Sequence, residues 1–118
     1  AIAATQDAKA LADIAARGEF GRAVVEGPLG FDNAYSAEAA RIKRIDSDVA
    51  GDADLLLVPD LNAGNMLYKS FNYVGGGDAA GLVLGTSVPI VLTSRADTLQ
   101  ARVASAALAM LQSSSLRG

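Results

Sequence analysis

Asp54-Leu-Leu-Leu-Val-Pro59-Asp-Leu-Asn-Ala-Gly64-Asn-Met-Leu-Tyr-Lys69 is the stretch whose reading decides the fold. Leu55 to Val58 is short and wholly apolar, the signature of a strand covered on both faces. Pro59 has no N–H to offer a sheet and stops it. Asp60, Asn62, Gly64 and Asn65 then form a polar turn that opens onto a helical stripe, Leu67, Phe71 and Val74. A buried strand, a polar turn at its carboxyl end and a helix N-terminus predict the binding edge of an open α/β sheet.

Working outward, the totals narrow the classes. The chain has 118 residues, one domain's worth, and can bury a core without staples. It has no cysteine and no histidine. Disulfides, thiol catalysis, thiolate zinc sites and a Ser-His-Asp triad within the chain are therefore excluded, and the commonest transition-metal ligand is missing. Net charge is −3, which argues against a nucleic-acid partner. No charged n-region precedes a long apolar core at Ala1 to Ala4, and the apolar runs are too short for a bilayer. A cytoplasmic setting with no membrane partner is the default expectation. The chain begins without Met, with Ile2 just ahead of a helix signal, and reads as a piece of something longer.

Upstream, Thr5 reads as an N-cap, and Ala8, Leu11, Ile14 and Ala15 recur at helical spacing before Arg17-Gly18. This predicts a helix over 6–17. Residues 22–26 predict a short strand, and Gly27 to Asn33 a loop. Ser36 caps a second predicted helix, 37–45, with Glu38 in its first turn and Arg41, Lys43 and Arg44 near its end, an order that suits the helix dipole. Downstream, Gly75-Gly76-Gly77 breaks the central helix. Residues 79–84 and 89–92 read as strands whose short connection forbids a parallel crossover between them. A last helix over about 98–112 carries Leu99, Val103, Ala107 and Met110 on one face, and 113–118 reads as a frayed tail. The whole predicts an α/β fold, a mainly parallel sheet with helices on both faces.

Three joints place polar or glycine residues after a predicted strand: Val25 to Pro28, Val58 to Asp60 and Leu92 to Arg95. If those strands are parallel, all three open on one sheet edge. Ser94 offers a hydroxyl, and Arg95 a planar, permanently charged fork suited to phosphate. A helix N-terminus contributes only ~0.3–1 kcal/mol toward an anion. Millimolar to micromolar binding needs about 4–8 kcal/mol, so Arg95 and other groups must carry most of it.

Four blocks then stand in order: Gly27-Pro28-Leu29-x-Phe31-Asp32-Asn33-Ala34, Ser47-x-Val49-Ala50-Gly51-x-Ala53-Asp54, Val58-Pro59-Asp60-Leu61-x-Ala63-Gly64-Asn65-Met66-Leu67-x-Lys69, and Pro89-Ile90-x-Leu92-Thr93-Ser94-Arg95-Ala96-Asp97. Together they resemble the phosphate acetyltransferase and phosphate butyryltransferase family, and the Thr-Ser-Arg-Ala-Asp ending looks like the butyryl branch. The resemblance covers nearly the whole chain but only the C-terminal part of a family member. It implies a three-layer sandwich resembling part of the isocitrate/isopropylmalate dehydrogenase-like fold. Residues 1–92 would belong to a sheet-and-helix domain, and about 93–118 to a terminal helix returning to the other domain.

The same resemblance implies exchange of an acetyl or butyryl group between coenzyme A and inorganic phosphate. Coenzyme A would be a substrate, with no permanently bound cofactor and no metal centre, in a homodimer or higher homo-oligomer. Ser94 and Arg95 match the family's cleft residues: the arginine holds the anion, and the serine supports the thiol or the transition state. Such chemistry is electrostatic stabilisation plus positioning. Two departures stand out. Acetyl-type members carry a candidate base, an aspartate, seven residues after that serine, where this chain has Ala101. Glycine is usual between the positions of Lys43 and Ile45, where this chain has Arg44. With the family's N-terminal part absent from the match, this chain alone is expected to be inactive or nearly so. The alternative is a non-catalytic truncated homologue acting as a binding or dimerisation module.

Each site residue also has a plainer reading. Asp97 with Gln100 has capping-box spacing, so Asp97 is a helix cap first and a candidate base second. Asp60, Asn62 and Asn65 are turn-formers first and substrate-binding candidates second, as are Asp32 and Asn33. Lys69 reads as a solvated charge and Arg41-Lys43-Arg44 as complements to a helix end. Gly75-x-Gly77-x-x-Ala80 fits a dinucleotide fingerprint only nominally, because a strand rather than a helix is predicted to follow.

Overall fold

The computed structural model describes residues 2–115. Its regular elements are helical: α1 (Ala3–Ala16), α2 (Phe31–Tyr35), α3 (Ala37–Ile42), α4 (Leu61–Lys69), a π-helical turn (Ser70–Val74) and α5 (Leu99–Ser115). The chain divides into two units, 1–64 and 65–118, and the division falls inside α4.

The expected parallel sheet is absent. Among the described residues there is no strand, only an isolated antiparallel bridge between Val83 and Ile90, with the Val83 N–H donating to the Ile90 carbonyl at 2.9 Å. That bridge obeys the short-connection argument, but the α/β sandwich does not form. The reason is visible at the run that suggested it: Leu55 is 83 % exposed and Leu57 72 % exposed. An apolar run states a preference for cover on both faces, whereas a ladder also needs a distant partner that local pattern cannot supply. Residues 22–26, 79–84 and 89–92 likewise lie outside regular elements apart from that bridge.

In the first unit, α1 is half alanine, the best helix former. It starts earlier than Thr5 predicts: Ile2 is the N-cap, and no side chain caps it. It ends as predicted. Gly18 turns left-handed at φ 79°, and its N–H donates to the Ala15 carbonyl at 2.8 Å. The half-buried face of α1 includes Ala8, Leu11, Ile14 and Ala15, and a Cβ on Gly27 would sit 3.3 Å from the Ala8 methyl. The predicted loop 27–33 gives way to α2 at Phe31, where Phe31 and Tyr35 stack at 5.5 Å.

Ser36 does cap α3, accepting from the Ala39 N–H at 3.2 Å, but α3 stops at Ile42 rather than 45. The stop explains the departure at Arg44. Arg44 holds φ 54°, while the Ile45 N–H closes on the Ala40 carbonyl at 3.0 Å. A left-handed residue just past a helix end is where glycine costs least. Ala34 and Ala40 are buried between α2, α3 and the 49–53 turn, where the Gly51 N–H donates to the Ala34 carbonyl at 3.2 Å. A Cβ on Gly51 would lie 2.4 Å from the Ala37 Cα.

Helix α4 begins at Leu61 because Asp60 caps it, its carboxylate accepting from the Ala63 N–H at 2.8 Å. The predicted stripe Leu67, Phe71, Val74 fails beyond Leu67: Val74 is fully outside. The cause is the π-helical turn, whose wider i→i+5 closure, the Gly75 N–H to the Ser70 carbonyl at 3.0 Å, rotates later residues off the stripe. Lys69 Nζ lies 5.1 Å from the ring centre of Tyr68 and 5.4 Å from that of Tyr73. No helix follows Gly75 to Ala80, so the nominal dinucleotide fingerprint lacks its context.

Thr98 starts α5, its hydroxyl accepting from the Ala101 N–H at 3.1 Å. Residues 113–115, read as tail, are its last residues; 116–118 lie outside the described residues, as does Ala1. The inward side of α5 is Ala101 and Ser105, not the predicted Leu99, Val103, Ala107 and Met110. Ser105 is 2 % exposed; its hydroxyl donates to the Ala101 carbonyl at 2.7 Å and accepts from the Gly81 N–H at 3.0 Å. No helix among the described residues is long and apolar enough to cross a membrane.

Candidate functional site

The site residues read from the sequence form three local groups. In the second unit, Ser94 and Asp97 are brought together. The Asp97 N–H donates to the Ser94 carbonyl at 3.1 Å, and the Asp97 carboxylate accepts from the Ser94 N–H at 2.7 Å. The two bonds pin a tight turn, and the Ser94 hydroxyl accepts a longer bond from the Ala96 N–H at 3.4 Å. Asp97 therefore closes the turn, and the helix cap it was expected to supply falls to Thr98, the residue beside it. One Asp97 oxygen remains outside these bonds.

Arg95 sits at the tip of this turn and is exposed. Its carbonyl accepts from the Arg102 guanidinium at 3.2 Å, while its own guanidinium has no hydrogen-bond or ion-pair partner among the described residues. A charged fork held on a closed turn and left unpaired can take a phosphate or carboxylate. Asn65 belongs to the same unit, is exposed on α4, and shares no hydrogen bond with the turn.

In the first unit, Asp32 pairs with Lys43 at 2.7 Å. The Lys43 ammonium holds the Asp32 carboxyl below the usual carboxylate range, chiefly through that hydrogen bond. Lys43, read as a complement to a helix end, is thus partner to a site candidate. Asp32 and Asn33 both fold back over Gly30: a Cβ there would lie 2.8 Å from Asp32 Oδ1 and 3.3 Å from Asn33 Nδ2. Asn33 Oδ1 is buried without a protein partner, an acceptor left open to a donor from outside the chain. Asp60 is spent as the cap of α4, and Asn62 is exposed beside it.

A third group was not read from the sequence. The Ser47 hydroxyl donates to the Glu26 carboxylate, which also accepts from the Asp48 N–H at 3.1 Å. Ser47 in turn accepts from the Val49 and Ala50 N–H groups at 3.0 and 2.7 Å. Glu26 thereby fastens the joint at 25–28 to the Ser47 to Ala50 block. Its only sequence signal was a carboxylate directly ahead of Gly27-Pro28.

The parallel strands that would have put all three joints on one edge are absent, so the shared-edge argument falls with them. Ala101, at the position where a candidate base was noted as missing, is buried on the inward side of α5.

Comparison with known proteins gives a consistent result. The family model described as phosphate acetyl/butaryl transferase matches residues 2–110. A phosphate acetyltransferase of Rhizobium meliloti is 58 % identical over 110 residues, covering 93 % of this chain and 35 % of that protein. A phosphate butyryltransferase of Clostridium beijerinckii is 46 % identical over 107 residues, covering 91 % of this chain and 35 % of that protein. Among solved structures, the crystal structure of a branched-chain phosphotransacylase from Enterococcus faecalis matches with a TM-score of 0.77 at 39 % identity, over 92 % of this chain and 38 % of that one. The chain spans about a third of the length of the curated relatives it matches.

Proposed function

The chain belongs to the phosphate acetyl/butaryl transferase family, and from that premise we propose that it supplies the C-terminal part of an enzyme exchanging an acetyl or butyryl group between coenzyme A and phosphate. In the direction of thioester synthesis, the coenzyme A thiolate attacks the acyl-phosphate carbonyl. A carbon–sulfur bond forms, the carbon–oxygen bond to phosphate breaks, and inorganic phosphate leaves with the electron pair. No covalent intermediate on the protein is needed, so the protein's task is to hold an anion and steady the charge that develops.

The observation that carries this reading is the Ser94–Asp97 turn. Its double closure fixes Arg95 at an exposed tip with an unpaired guanidinium. In our reading that guanidinium grips the phosphoryl oxygens. The Ser94 hydroxyl, on the adjoining residue, donates to the thiolate or the forming oxyanion. Asp97 acts first by shaping the turn, which leaves the thiol's proton acceptor outside the residues brought together here. Asp32, Asn33, Asp60, Asn62 and Asn65 are read as substrate-binding residues, each within its own unit, with Asn33 Oδ1 an open acceptor for a substrate amide. The assembled enzyme is read as a cytoplasmic homo-oligomer acting on coenzyme A thioesters and phosphate, with coenzyme A as substrate rather than resident cofactor.

The test replaces the matching third of the R. meliloti phosphate acetyltransferase with residues 2–110 and follows acyl-phosphate formation from acetyl- and butyryl-coenzyme A. Arg95→Ala should cost about 10²–10³-fold in kcat/KM, the scale of a lost transition-state contact. An unaffected variant removes Arg95 from the role. The 118-residue chain alone should show negligible turnover.

A further inference from the structure

Ser94 and Asp97 close the turn that carries Arg95, but they close it at its base. Two bonds join residues 94 and 97, and a longer one joins the Ala96 N–H to the Ser94 hydroxyl. None of the three touches Arg95. The bond that does comes from outside the turn: the Arg102 guanidinium donates through Nη2 to the Arg95 carbonyl at 3.2 Å.

Arg102 is well placed to hold that carbonyl still. It stands in the first turn of α5, where its own N–H donates to the Thr98 carbonyl at 3.2 Å. The Thr98 hydroxyl accepts from the Ala101 N–H at 3.1 Å. Ala101, the residue before Arg102, is buried, and so is Ser105, whose hydroxyl donates to the Ala101 carbonyl at 2.7 Å. The Arg102 stem therefore leaves a fixed stretch of backbone. Arg102 is the one charged residue in α5, and among the described residues no carboxylate pairs with it. A guanidinium with no carboxylate to satisfy can spend a donor on a neutral carbonyl, and its planar fork loses little freedom in doing so. Arg102 lies beyond the four sequence blocks, the last of which ends at Asp97.

We propose that Arg102 is a positioning residue: it ties the tip of the Ser94–Asp97 turn to α5 and so aims the Arg95 guanidinium. The inference rests on the reading of Arg95 as the grip on the phosphoryl group, and it deepens that reading by naming what keeps the grip aimed. A grip carried on a swinging tip meets the anion in many poses, few of them productive. Misplacement by about 1 Å can cost about 100-fold in rate, and a tie made through one hydrogen bond commands about tenfold of it.

The experiment uses the R. meliloti enzyme carrying residues 2–110 and measures kcat/KM for four forms: parent, Arg102→Met, Arg95→Ala and the pair together. Met keeps an unbranched, helix-forming side chain and removes the donor. Arg102→Met should lose about tenfold beside an intact Arg95, and less than about twofold beside Arg95→Ala, where no grip is left to aim. Arg102→Lys, which keeps a donor on a long stem, should recover most of the loss. A parent-like Arg102→Met enzyme overturns the proposal. An equal loss beside Arg95→Ala also overturns it, because Arg102 would then be meeting the anion itself or merely holding the fold. A second measurement reads the tie directly in the 118-residue chain, by ¹⁵N relaxation of the Arg95 and Ala96 amides. In Arg102→Met their order parameters should fall from about 0.85 toward 0.6, and unchanged values overturn the proposal. A loosened tip together with a harmless Arg95→Ala would sink the acyl-transfer role of Arg95 and leave the tie standing.

Discussion

The two units clothe their helices differently. Every ion pair among the described residues falls within 1–64: Lys9–Asp13, Arg17–Glu19, Glu38–Arg41 and Asp32–Lys43. Helix α1 turns Asp7, Lys9 and Asp13 to water and its small, apolar side to Gly27. Helix α5 also turns small residues inward, yet offers Leu99, Val103, Met110 and Leu111 outward. Both helices are held on their inner side by close approach rather than by bulky side chains, since no large side chain among the described residues is fully buried. A solvated face needs charge, and each exposed pair adds only ~0.2–1 kcal/mol. Apolar bulk contributes only once buried, about 1.5–3 kcal/mol for each large side chain.

Four measurements break or sharpen that contrast. The largest effect belongs to the inner side of α5. Ala101→Asp puts a carboxylate without a partner into the Ala101–Ser105 contact and should cost about 3–5 kcal/mol by urea denaturation. Tolerance of that change would mean the inner side is misidentified. Ser105→Ala strands the Gly81 N–H and should cost about 1–3 kcal/mol in the same assay.

Next, Leu99→Gln and Lys9→Ala, made in the isolated chain, should both stay within about 0.5 kcal/mol, because both residues face water there. A large loss from Leu99→Gln alone would show that its face already has cover. Last comes a pH effect confined to the charged unit. The Asp32 carboxyl is held below its ordinary pKa, so the Lys43 pair stabilises fully above the unfolded carboxylate range. That contribution disappears as pH falls through the lower, folded value. Carbon-detected titration should place the Asp32 midpoint below the ordinary aspartate value, and Lys43→Ala should move it up.

How much of this was legible follows the range of each interaction. Helix α3 was readable at its start because Ser36 and Ala39 lie three residues apart. The end of α1 at Gly18 was readable for the same reason. Asp97 was read as the cap of α5, but the Ser94 turn, itself a local closure, takes its carboxylate, and the cap falls to Thr98 beside it. Periodicity found α5 but picked the wrong side. It marks the stripe of large apolar residues, and the assumption that large means inward failed where the buried residues of α5 are the small ones, Ala101 and Ser105.

The predicted strands failed for a related reason. An apolar run such as Leu55 to Val58 names its own preference, and no residue within it names a partner. Of the site, Ser94, Arg95 and Asp97 were named through the family motif, and the turn that joins Ser94 to Asp97 is a closure over three residues. The Glu26–Ser47 clasp spans 21 residues and had no pattern to announce it.

The ring pair around Lys69 has an optical consequence. The chain has three tyrosines and no tryptophan, and two of the three, Tyr68 and Tyr73, flank that ammonium. Intrinsic fluorescence from this molecule is thus weighted toward the end of α4. An indole introduced at Met110, an exposed position, would emit alone at longer wavelength, and the position of its emission maximum would report how far water reaches that side of α5 without any dye.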